Sequence, residues 1–158
     1  VADSDDARRG MKDERIGVSA VMYPQPFGLQ AEWNWGKSPG LQIDEQINST
    51  TRAIRETNLN GGYLQAMYKH DLTKDSALIP FVKWQYYDGA SKAENNAPMN
   101  KVNDIEAGIE WQINKAIELS GVYHRMKRTD LVSDNQAGEK DFGQFDSDAL
   151  RVQLQVNF

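Results

Sequence analysis

At 158 residues the chain is one domain's worth of sequence, with a net charge of −5 and a mean hydropathy of −0.69. The acidic balance excludes a nucleic-acid partner, because neutralising phosphates needs a basic surface. The absence of cysteine excludes disulfides and thiolate metal sites, and no run approaches the ~18 apolar residues of a membrane-crossing helix.

Apolar and polar residues alternate in seven segments, at 16–23, 27–35, 61–69, 78–87, 105–113, 117–125 and 150–158. Period two is the mark of a strand with two different faces. Residues 1–15, dense in Asp, Arg and Lys, precede the first segment as a polar loop. Tyr23-Pro24-Gln25-Pro26 then reads as a tight turn, and residues 36–60 as a long polar loop. Residues 70–77 are a shorter connection, 88–104 a long one, Asn114-Lys115-Ala116 a tight turn, and 126–149 long and charged. The last segment, Leu150 to Phe158, alternates throughout and ends on an aromatic ring. Short and long connections thus alternate, as the periplasmic turns and extracellular loops of outer-membrane barrels do. That pattern places Phe158 at the periplasmic end and residues 1–15, 36–60, 88–104 and 126–149 outside.

One parity of each segment carries no charge, although a quarter of the chain is charged. It runs Ile16 to Met22, Phe27 to Trp35, Gly62 to Tyr68, Leu78 to Tyr86, Ile105 to Ile113, Ile117 to Tyr123 and Leu150 to Phe158, in steps of two. A charge at mid-bilayer costs about 2–4 kcal/mol, which accounts for the exclusion. All four tryptophans lie on this parity. Trp33, Trp35, Trp84, Tyr86 and Tyr123 fall toward the outer rim, and Phe27, Tyr68, Trp111 and Phe158 toward the periplasmic rim. Aromatic girdles at both interfaces belong to a bilayer protein. A soluble antiparallel sheet with one buried face is the alternative, and it gives no reason to sort aromatics by strand end.

The other parity is polar, and its candidate pore-lining residues are Lys69, Lys83, Gln85, Glu106, Glu110, Arg151 and Gln153. Lys69, Lys83 and Arg151 stand against Glu32, Glu106, Glu110 and Glu118, so this wall is not net basic. Val21, Met67, Ile79, Phe81 and Val122 break its polarity, and Pro80 raises the expectation of a bulge or a local plug contact. His70 and His124 read as solvated or hydrogen-bonded imidazoles, and Glu106 and Glu110 as charges on the wall rather than an acid–base pair. Gly61-Gly62 reads as a strand start with close backbone packing. No nucleophile–base pair falls on one face, so an enzyme is not expected, and no catalytic, cofactor or metal residue is assigned.

The segment from Leu78 to Gly89, followed by Lys92 and Asn96-Ala97-Pro98, resembles the phosphate-selective porin O/P family. So do Gly61 to Tyr68, Gly28 to Trp33, Val102 to Asp130 and the final strand. The resemblance covers most of residues 16–158 and corresponds to the family's C-terminal part. It implies an all-β, antiparallel transmembrane barrel of sixteen strands, of which about seven are present. It also implies a homotrimer in the bacterial outer membrane, among lipid and lipopolysaccharide. Such a porin passes small anions such as phosphate or polyphosphate through a passive, water-filled channel, using lysines and arginines along the pore. A non-channel barrel, serving as anchor or adhesin through its outer loops, is the competing reading. Seven strands is an odd count, where bacterial single-chain barrels have an even one. Either a strand lies upstream of Val1, which is preferred, or Thr50 to Ile54 hides one. No signal peptide is visible at Val1, so a mature chain or a fragment is expected.

Overall fold

The computed structural model describes residues 12–43, 52–90, 99–131 and 142–157. Their regular structure is strand throughout. The strands are β1 (Glu14–Met22), β2 (Phe27–Ile43), β3 (Arg52–Tyr68), β4 (His70–Asp71), β5 (Ala77–Ala90), β6 (Met99–Gln112), β7 (Ile117–Leu131) and β8 (Phe142–Val156). They form one antiparallel sheet in the order β1-β2-β3-β5-β6-β7-β8, with the two-residue β4 also paired to β5. Each long strand therefore lies beside its neighbour in sequence. Among the described residues β1 and β8 are edges, and the sheet is not closed.

The seven long strands coincide with the seven alternating segments, but they are longer. Residues 36–43 and 52–60, expected as loop, are paired along their length, from Gly36 opposite Leu59 to Ile43 opposite Arg52. Likewise β5 runs on to Ala90, β6 begins at Met99, β7 reaches Leu131 and β8 begins at Phe142. The alternation fades there because both faces carry polar residues, while the backbone ladder continues regardless of side chain. Of Thr50 to Ile54, residues 52–54 open β3 and form no separate strand, and residues 50 and 51 lie outside the described residues. Gly61 and Gly62 sit mid-strand rather than at a strand start.

The bulge expected near Pro80 is absent. Met67 opposes Phe81 and His70 opposes Leu78, three steps along each strand, so no residue is inserted. Only the ladder lapses beside Pro80, which has no N–H to give. The Lys69 N–H faces the other neighbour and donates to the Pro26 carbonyl at 2.7 Å, one step past the Phe27–Tyr68 pair of β2 and β3.

The three short connections gather at one end. The first contains a cis Gln25–Pro26 bond. In the second, Leu72 and Thr73 N–H both donate to the Ser76 carbonyl, at 2.9 and 3.1 Å. In the third, the Asn114 side-chain oxygen accepts from Ala116 N–H at 2.8 Å and Ile117 N–H at 3.0 Å, a side chain mimicking a backbone turn. Trp111 Nε1, near the end of β6, reaches the second of them by donating to Ser76 Oγ at 3.2 Å.

The register also aligns the apolar parity across strands. Val18, Trp33, Gly62 and Tyr86 share one rung, and Leu78 opposes Trp111, which opposes Leu119 and then Leu154. These side chains stay open to their surroundings: Ile16 is 72% exposed and Leu150 76%. In water this would be an unsustainable apolar face; in a bilayer it is the lipid-facing one. On β5 the charge-free parity runs from Leu78 to Tyr86, nine residues or about 30 Å of strand. Tilted at roughly 35–45°, that spans about the 25 Å of an outer-membrane apolar band.

Candidate functional site

Strand alternation sends the polar parity to the opposite face, where side chains are more enclosed. Glu106 is 6% exposed while Ile105 beside it is 52% exposed. A sheet curling toward its polar side crowds that side and spreads the other. The structure places all seven candidate residues on this face, but it does not place them together. They fall into two groups separated by an apolar rung.

The upper group is a charge network. Lys83 on β5 opposes Glu106 on β6, which opposes His124 on β7. Lys83 Nζ lies 3.4 Å from Glu106 Oε1 and 5.2 Å from the centroid of the Tyr63 ring. One rung up, Gln85 opposes Asp104, and its amide donates to Asp104 Oδ2 and, at 3.0 Å, to Glu106 Oε1. His124 Nδ1 lies 3.5 Å from Glu106 Oε1 and 3.8 Å from Asp104 Oδ2. Asp104 and Glu106 are both buried, and Asp104 Oδ1 has no hydrogen-bond partner. Of the two enclosed carboxylates only Glu106 has an ammonium beside it, which leaves Asp104 in a costly place for a buried charge.

The rung below is apolar. Gly28, Met67, Phe81, Gly108 and Val122 face one another in order, and the row ends on β8 at Arg151, which lines the concavity below. Three of the residues that broke the polar pattern fall on this single row. Gly108 makes it possible: an added Cβ would sit 2.5 Å from Phe81 Cζ, so the ring lies over the glycine. That ring stands between Glu106 and Glu110, and the two carboxylates belong to different groups.

The lower group lines a concavity of ≈ 490 Å³ that includes Lys69, Glu110, Glu118, Arg151 and Gln153. Lys69 Nζ pairs with Asp71 at 3.0 Å, and Gln112 donates to Glu110 Oε1 at 2.8 Å. Arg151 forms no ion pair among the described residues.

Asp104 is not among the sequence candidates, because the alternation on this strand is unbroken only from Ile105 onward. Its parity with Glu106 was the available signal. His124 was read as a solvated or hydrogen-bonded imidazole; it lies half-buried against two carboxylates.

The opposite face shows how the rims are built. Trp33 Nε1 donates to Asn60 Oδ1 at 2.7 Å and Trp84 Nε1 to Asn103 Oδ1 at 2.8 Å. Tyr86 donates to Asp88 and Tyr123 to Asp148, at 3.2 and 2.9 Å. Each ring keeps an apolar body on the band and a polar tip beyond it. Phe27 and Tyr68 meet edge to face at 5.2 Å at the short-turn end. Phe158 lies outside the described residues.

A family model for phosphate-selective porin O and P matches residues 3–158. No curated protein and no solved structure matches the chain.

Proposed function

Since the chain belongs to the phosphate-selective porin O and P family, a family of outer-membrane channels, we propose that its polar face is the wall of a passive aqueous pore for small anions of the phosphate class. The observation that carries this is the division of one sheet into an exposed face that is charge-free between its aromatic rims and an enclosed polar face. Lipid fits the first and a water-filled passage the second. Within that passage Arg151, unpaired in the lower concavity, is the anion-attracting group, with Lys69 beside it. Lys83 is committed to Glu106 and acts as a fixed part of the wall. Glu110, Gln85, Glu106 and Gln153 set the local field and the hydrogen bonds a passing ion meets. The long-loop end faces outward and the tight turns face the periplasm; the homotrimer and its contact with lipopolysaccharide follow from the family resemblance.

Planar-bilayer recording of the full-length protein tests the reading. Step-like open channels are expected, with a reversal potential in a KCl gradient on the anion side. Absence of open-channel current would sink the pore. A cation-side potential would keep the pore and discard its anion preference. The anchor or adhesin reading rests on strands β2 and β3, which stay paired for eight residues beyond the apolar band. It predicts no current at all.

A further inference from the structure

We infer that Asp104, Glu106 and His124 form a binding site for a divalent transition-metal cation of the zinc class, set in the polar face of the sheet. The three residues offer one imidazole nitrogen and two carboxylate oxygens, all within 4.8 Å of one another. Nitrogen with carboxylate oxygen is a donor set for zinc-class ions rather than for magnesium or calcium. Ligands at 2.0–2.2 Å on a tetrahedral ion stand roughly 3.3–3.6 Å apart. His124 Nδ1 stands 3.5 Å from Glu106 Oε1 and 3.8 Å from Asp104 Oδ2, so two of the three ligand edges are near these lengths and the third lies within 4.8 Å. The strand register holds them there, since Glu106 opposes His124 directly and Asp104 lies one rung above.

A second observation points the same way. Asp104 is 3% exposed and its Oδ1 lacks any hydrogen-bond partner, an arrangement costly for a carboxylate unless a cation satisfies it. Lys83 supplies one positive charge against two negative ones, leaving the cluster one charge short. A divalent ion reverses that sign, turning an anion-repelling patch of the polar face into an anion-attracting one.

The test uses the full-length protein without a polyhistidine tag, in detergent micelles, titrated with Zn²⁺ by calorimetry. One saturable Zn²⁺ per chain is expected, not displaced by excess Mg²⁺. Asp104→Asn and His124→Gln should each weaken binding by at least the ~10–100-fold seen when a mere outer-shell partner is lost. Lys83→Met should tighten it, because the ammonium and the metal compete for Glu106. Diethylpyrocarbonate labelling of the unmutated protein gives a readout independent of variant folding. Zn²⁺ should protect His124 and leave the exposed His70 reactive. No saturable uptake, uptake unchanged in both variants, or equal protection of both histidines would each overturn the site.

Discussion

Arg151 and Lys83 carry the same charge on the same face but stand in different company. Lys83 has Glu106 at 3.4 Å and an aromatic ring beside it; Arg151 has an open concavity and no paired acid among the described residues. Selectivity follows charge that a permeating ion can use, and a cation already neutralised offers little. Arg151→Gln should therefore move the reversal potential toward cations with barrel stability unchanged. Lys83→Gln should do the reverse. It leaves an enclosed Glu106 without its ammonium, so about 1–3 kcal/mol of stability should vanish as a lower urea midpoint, with a small change in ion preference. Equal shifts in reversal potential from both would remove the distinction. The parity of Lys83 and Arg151 was legible in the sequence, since alternation assigns a face. Their different pairing was not, because it depends on which residues lie across the ladder, and period two says nothing about register.

At the scale of strands, the apolar parity makes a demand that one substitution can probe. Ile109 lies in the middle of its charge-free run on β6, between Pro80 on β5 and Gly121 on β7, and its side chain is 45% exposed. Ile109→Arg places a charge where lipid is expected, at about 2–4 kcal/mol, and should sharply reduce the heat-modifiable folded form on gels. Gln153→Arg, on the polar face of β8, should assemble as the parent does and make the channel more anion-preferring. Equal tolerance at the two positions would reverse the assignment of faces. The existence and order of the strands were readable because one face had to be apolar. Their outer ends were not. At Ser38, Thr57 and Asn100 the strand continues without an apolar face to announce it. The same fading of pattern hides Asp104, which stands one step beyond Ile105, where the unbroken apolar parity of β6 ends. Gly62 shows the opposite case, a signal present but open to two readings. An added Cβ would meet the Trp33 backbone and ring, and Trp33 and Tyr86 stack across it at 6.2 Å. The glycine pair marked close packing, yet the covering rings come from strands distant in sequence.

Taken as a whole, the sheet has two aromatic rims, and their separation fixes how it must sit in a bilayer. Trp84 opposes Ile105, and Trp111 lies six residues further down β6, about 20 Å of strand. Trp84 reaches up to Asn103 and Trp111 reaches down to Ser76, so the two indoles point their N–H groups out of the band in opposite directions. Indole rings settle at the headgroup level, where one end is apolar and the other wet. Variants retaining only Trp84 or only Trp111, reconstituted into brominated lipids, test this directly. Bromines near the headgroup should quench both rings more strongly than bromines at the acyl-chain ends. A ring quenched best from the bilayer centre would move the edge of the apolar band past that residue. The polar positions next in line, Asn103 and Lys101 on β6 and Asp88 on β5, would then be forced into hydrocarbon. Because every strand shares one register, that single misplacement would carry a row of polar groups with it across the sheet. The depth of two tryptophans thus tests the membrane placement of the whole wall, and with it which end of the polar face a solute meets first.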